Sequence, residues 1–285
     1  MRRSSRSLTS LAAAGVLVAG AVAAATTSSQ AAAPASLNGK ALGLSTDGLT
    51  LRVFLLSDPT RETPSGKVTG LEGEDTSLVG IDYRVQDKEF YGVGSAGGVY
   101  TIEARSAKAT KVSQLTVALS GSTFGVDFNP AADRLRIISD TGQNLRHDVN
   151  PGGTTTADGA LNYTAGTPAT GLTAAGYTNN DLSATTGTLL FDVDISLDQL
   201  ALQVPPNAGG LTAVGALGAG DVTRGGFDVL STVRNGATTT NVGYGVFRIG
   251  GAAYPSLYKV DLTTGKATRV KAFDRKVADL AVKQP

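Results

Sequence analysis

The sequence predicts an all-β chain folded as a β-propeller, with five blades of about four strands closed by the C-terminal strand. Three observations carry that prediction. Residues 124–148 align without a gap onto a stretch 45 residues earlier, so that Gly80-Ile81-Asp82-Tyr83 falls on Gly125-Val126-Asp127-Phe128 and Val93 on Ile138. Apolar runs suited to the first strand of a repeat recur about 50 residues apart, at 77–83, 124–128, 172–177, 225–230 and 278–282. No window sustains a 3.6-residue period, and 36 glycines in 285 residues are too many for long helices. A β-sandwich or an open solenoid is the competing architecture; the repeat spacing favours the ring.

In chain order, residues 1–30 read as a signal peptide. Arg2, Arg3 and Arg6 form a basic start, residues 11–25 an uncharged Ala-rich run, and Ala-x-Ala cleavage points fall between about 25 and 33. That run is shorter than the roughly 20 residues of a spanning helix. Arg2-Arg3 suggests a twin-arginine route, but Ser5-Arg6 stands where an apolar pair belongs. Residues 31–40 are a short leader, and 41–285 a single propeller domain.

Strands at 42–45 and 49–55 flank the hairpin turn Thr46-Asp47-Gly48. Residues 59–67 read as a polar loop. Strands at 77–83, 89–94 and 99–104 follow, then the matching set at 124–128, 134–139 and 144–148, with Asn129-Pro130 opening a turn. Leu190-Phe191-Asp192-Val193-Asp194 and Leu257-Tyr258-Lys259-Val260-Asp261 echo Val99-Tyr100-Thr101-Ile102-Glu103. Residues 278–282 have no blade of their own, so they complete the one begun near Ala41 and join the chain ends.

Cleavage at residue 30 removes three of 25 basic residues and none of 24 acidic ones, leaving 22 against 24, a net charge of about −2. That balance argues against nucleic acid or an anionic membrane as partner. The absence of Cys rules out disulfides and thiol chemistry, and the absence of Trp removes the usual sugar-stacking side chain. A monomer without a membrane span in the mature chain is expected.

The stretches Phe124-Gly125-Val126-Asp127-Phe128-Asn129-Pro130, Asp133-Arg134-Leu135-Arg136 and Asp140-Thr141-Gly142-Gln143-Asn144-Leu145-Arg146 resemble the signature of a bacterial family, domain of unknown function 4394. Leu78-Val79-Gly80-Ile81-Asp82-Tyr83-Arg84 and Pro205-Pro206-Asn207 fit the same pattern, and the likeness covers roughly residues 41–282. The resemblance implies an exported, propeller-like bacterial protein and no particular activity.

Asp82, Asp127 and Asp228 occupy one place in the first strand of three repeats. Lining a channel, they would hold a divalent cation, calcium by preference, or instead accept backbone N–H groups between blades. No other cofactor is called for. Arg134, Arg136 and Arg146, with Asp133, Asp140 and Asp148, make either a polar ligand site or an ion-pair network. Asp140, Gln143 and Asn144 read as turn residues facing solvent or ligand.

His147 is the one histidine, and no Gly-x-Ser-x-Gly elbow accompanies it, so no catalytic residue is assigned. Asp192, Asp194, Ser196 and Asp198 mimic a calcium loop, but Leu197 stands where Gly is required; the segment reads as a strand with one wet face. The sequence therefore points to an exported, non-catalytic binding module for a small ligand, glycan or protein. A metal-dependent propeller hydrolase or lactonase is the alternative, and a structural envelope or matrix protein the third reading.

Overall fold

The computed structural model describes residues 39–183 and 185–284, and these form five four-stranded antiparallel sheets. The signal-peptide reading lies outside the described residues. Blade 1 contains β1 (Lys40–Ser45), β2 (Thr50–Leu55) and β3 (Asp58–Lys67). Blade 2 is β4 (Leu78–Arg84), β5 (Glu89–Gly94), β6 (Gly98–Glu103) and β7 (Lys108–Gln114); blade 3 is β8 (Phe124–Asn129), β9 (Arg134–Ser139), β10 (Asn144–His147) and β11 (Thr155–Ala157). Blade 4 is β12 (Leu172–Tyr177), β13 (Leu190–Asp194), β14 (Gln199–Gln203) and β15 (Leu211–Ala216); blade 5 is β16 (Val222–Arg234), β17 (Ala237–Ile249), β18 (Ser256–Val260) and β19 (Ala267–Ala272). The last strand, β20 (Val277–Val282), pairs antiparallel with β1, Ala281 opposite Leu42, and becomes the innermost strand of blade 1.

The five strands expected to open the repeats are thus the five innermost strands, and each packs on the next around a closed ring: β20, β4, β8, β12, β16 and back to β20. Because side chains alternate along a strand, each blade offers an apolar set to both neighbours. In β13, Leu190 enters the core between blades 3 and 4, while Phe191 and Val193 enter that between blades 4 and 5. Five such clusters result, one per joint.

Two features depart from the sequence expectation. Residues 59–67, read as a loop, belong to the outer strand β3, which pairs with β2 alone. An outer strand needs no apolar face, so its composition is that of a loop. The supposed wet face of β13 is dry: Asp192 and Asp194 are buried toward blade 3. Asp194 accepts the Tyr163 hydroxyl at 2.8 Å.

Candidate functional site

The inner strands repeat the triplet Gly-x-Asp at Gly80-Ile81-Asp82, Gly125-Val126-Asp127 and Gly226-Phe227-Asp228. Glycine and aspartate two residues apart share a strand face, and that face is the joint to the next blade. A Cβ on Gly125 would come within 2.6 Å of the Ala175 backbone nitrogen, and one on Gly226 within 2.6 Å of Ala278 O. The bare glycine therefore lets the adjacent inner strand approach until its N–H reaches the carboxylate. The Phe128 N–H donates to Asp82 at 2.7 Å, and the Tyr177 N–H to Asp127 at 2.9 Å.

The Val282 N–H donates to Asp228, and the Ile81 N–H to Asp279 at 3.0 Å. Asp279 is a fourth member that the sequence reading passed over, although Ala278-Asp279-Leu280 lay in plain view in the closing strand. At the fifth joint Gly176 precedes Tyr177, where a carboxylate would otherwise stand. There Asn180 takes over, its side chain donating to Val229 O at 3.0 Å and its N–H to the Ser231 hydroxyl at 2.9 Å.

Asp82, Asp127 and Asp228 are brought together: one oxygen from each lies within 4.8 Å of the others. Asp82, Asp127 and Asp228 are buried, whereas Asp279 is half-buried where it borders the mouth. Burial, and then the neighbouring carboxylates, push Asp82 and Asp127 well above the usual range. Burial also raises Asp228 and Asp279 to about 7. Near neutral pH the ring is substantially protonated, so its members sit close together without full mutual repulsion.

Above these carboxyls the channel opens where the inner strands begin. A cavity of about 160 Å³ is lined by Ser45, Thr46, Ser77, Ser122, Thr123 and, on the inner wall, Asp279 and Arg224. Thr46 and Arg224 also line a larger crevice of about 560 Å³, which continues outward between Arg248, Tyr254 and Lys276.

Asp140 helps to shape the mouth, accepting the Ser122 N–H at 2.9 Å and the Ser122 hydroxyl at 2.7 Å. Gln143 fastens the same loop, accepting the Ser120 N–H at 2.9 Å and donating to Ala118 O at 2.9 Å. Asn144 is buried rather than turned to solvent; it donates to Gly159 O and Pro206 O, both at 3.0 Å.

The arginines sit away from the mouth, in blade 3. Arg136 is fully buried and donates to Asn144 and Asp158 at 2.7 Å, to Asn207 at 2.8 Å and to Tyr177 at 3.3 Å. Arg146 shares Asp158 at 2.6 Å, and Arg134 pairs with Asp148 at 3.0 Å. Asp133 pairs instead with Arg84 of blade 2. Asp158, in the loop after β11, was the partner that spacing could not reveal.

His147 bridges blades through Nε2 to the Ser113 hydroxyl at 2.8 Å and through Nδ1 to the Thr155 hydroxyl at 3.0 Å. Burial lowers its pKa, and a hydroxyl occupies the place where a triad would set a carboxylate.

The family described as "Domain of unknown function (DUF4394)" matches residues 50–281, and the chain belongs to it. No curated protein matches the chain. Among solved structures, an auxiliary nutrient binding protein from Bacteroides ovatus is similar at 14% identity and a TM-score of 0.43, over 81% of this chain and 56% of that one. This chain thus spans little more than half of that protein. TolB from Acinetobacter baumannii is similar at 10% identity and a TM-score of 0.46, over 88% of this chain and 68% of that one.

Proposed function

We propose that this DUF4394 protein is an exported, non-catalytic binding propeller that takes a small hydroxylated ligand at the channel mouth where the inner strands begin. The observation behind this reading is the contrast between mouth and channel. The mouth is an open cavity rimmed by hydroxyls from three blades, with Asp47, Asp279 and Arg224 as its charged groups. The channel carboxyls below it, Asp82, Asp127 and Asp228, are each tied to a backbone N–H of the next blade, as is Asp279 in the mouth's inner wall.

A hydrolytic metal centre needs ionised oxygens with lone pairs to spare and an open position for water or substrate. Asp82, Asp127 and Asp228 already serve as acceptors for backbone N–H groups across the joints. On this reading Asp140 and Gln143 position the mouth rather than touch ligand, and Arg134, Arg136, Asn144 and Arg146 hold blade 3 to its surroundings. Export rests on the basic start and apolar run of residues 1–30.

The convergence of three carboxylate oxygens supports a second reading, a calcium site. A thermal midpoint raised by calcium and restored by chelator would establish it. The primary reading is tested by a thermal-shift screen of soluble sugars and sugar derivatives on the wild-type protein and on Ser122→Trp, which fills the mouth. A ligand whose shift disappears in Ser122→Trp supports the mouth as the site. Hits that survive the substitution, or turnover of a hit, would overturn it.

A further inference from the structure

The crevice that leads to the mouth carries an unusual pair. Arg224 on β16 and Arg248 on β17 are direct cross-strand partners, so both side chains rise from the same face of blade 5, and both line the crevice. Like charges placed opposite each other on antiparallel strands repel and destabilise the sheet. Among the described residues neither arginine forms an ion pair. The Arg248 Nε donates to Ala252 O at 3.0 Å, which steadies the side chain and leaves its terminal nitrogens outward.

Lys276, exposed on the opposite wall, adds a third cation, and Tyr254, 46% exposed, offers a ring face and a hydroxyl. No carboxylate lines this crevice. Two acids border it from the adjoining mouth: Asp279, and Asp47 on the β1–β2 turn, which lies within electrostatic reach of Lys276. The two compartments differ in chemistry: three cations outside, hydroxyls with the carboxyls of Asp47 and Asp279 inside, joined through Thr46 and Arg224.

We infer that the Arg224–Arg248 pair is an anion clamp, and that the ligand is a polyol bearing one oxyanion, of the size of a sugar acid or sugar phosphate. Two guanidinium forks side by side match the planar or tripodal oxygens of a carboxylate or phosphate, which replaces their mutual repulsion by charge-assisted hydrogen bonds. The hydroxylated part of the ligand then extends past Thr46 toward Ser77 and Ser122. A crevice of about 560 Å³ holds one or two sugar rings. The inference rests on the mouth reading for the polyol end and on the arginine pair alone for the anionic end.

The test is calorimetric titration of the full chain with galacturonate, glucose 6-phosphate and glucose, at low and at 0.5 M salt. The expected result is binding of at least one of the two anions about tenfold or more tighter than glucose, weakened by salt. The stronger of the two identifies carboxylate or phosphate as the source. Arg248→Gln is expected to lose about tenfold in affinity for that anion. Arg248→Glu is expected to raise the thermal midpoint of the unliganded protein, because repulsion becomes attraction, while abolishing anion binding.

Anions that bind no tighter than glucose, or an Arg248→Gln protein that keeps its affinity within threefold, would overturn the clamp. The mouth can fail separately. If Ser122→Trp leaves anion affinity intact, the clamp stands and the polyol end lies elsewhere. If glucose binding is lost in Ser122→Trp while neither anion gains over glucose, the mouth stands and the clamp falls.

Discussion

Raising the pH should loosen this protein through its own axis. Asp228 and Asp279 have folded-state pKa values near 7, against an ordinary 3.8, because burial disfavours their charged forms. A carboxyl whose pKa is raised on folding contributes stability that is complete below its unfolded value. That contribution declines as pH climbs and is gone above the folded value. The window here runs from about pH 4 to about pH 7. At roughly 1.4 kcal/mol per pH unit, the buried Asp228 contributes about 4 kcal/mol over the full window and about 3 kcal/mol between pH 5 and 8, and the half-buried Asp279 contributes less because solvent screens it.

Asp82 and Asp127 are raised as well and act in the same direction, and a loss of about 3 kcal/mol is already a large part of an ordinary domain's roughly 5–15 kcal/mol. The assay is urea denaturation at pH 5, 6.5 and 8 with the slope held in common. Asp228→Asn supplies the control, because its amide oxygen still accepts the Val282 N–H but does not ionise; its stability should fall less over the same range. Below pH 4 the trend reverses, as Asp148 and Asp181, whose pKa values are lowered, lose their ionised forms. A wild-type stability that is flat or rising from pH 5 to 8 would refute the reasoning, as would an equal pH dependence in Asp228→Asn.

Three further substitutions probe the architecture. Gly125→Ala drives a methyl into the β12 backbone at 2.6–2.7 Å and should cost about 1–3 kcal/mol or more by denaturation, whereas Gly187→Ala, with open space around it, should stay within about 0.5 kcal/mol. Arg136→Met leaves Asn144 and Asn207 without their donor and Asp158 with Arg146 alone. It should destabilise by about 3–5 kcal/mol in the same assay. Asp140→Ala frees residues 120–122 and should speed amide exchange of Ser122 while leaving global stability within about 1 kcal/mol.

The ring was legible in the sequence because each inner strand must satisfy two neighbours at once. That demand leaves a compact signature, a glycine for close approach and an aspartate to meet the N–H it admits, spaced two apart. Outer strands face no such demand, which is why β3 passed for a loop. Asp192 looked solvent-facing because alternation distinguishes two faces without saying whether the second meets water or another blade. The Arg224–Arg248 pair was hidden for a different reason: the two lie 24 positions apart in sequence, and only the register of β16 on β17 sets them opposite each other. Arg136 was visible as a charged residue in a strand, but its partners come from elsewhere in the chain, Asp158 from the loop after β11 and Asn207 from a short 3-10 turn at Pro206–Ala208.

The closing strand carries a consequence for how the molecule is made. β1 needs β20 beside it, and the two are separated by nearly the whole chain, so the first sheet to emerge during synthesis is the last to be finished. Until residue 282 is available, β1 presents an unpaired edge with Leu42 and Leu44 beside it, the kind of edge that recruits strands from other molecules. Blades 2 to 5 have all their strands in sequence order and can form early, whereas blade 1 waits. Loss of the final ten residues would therefore do more than fray an end: it would remove the Asp279 joint to blade 2 and open the ring on both sides of blade 1.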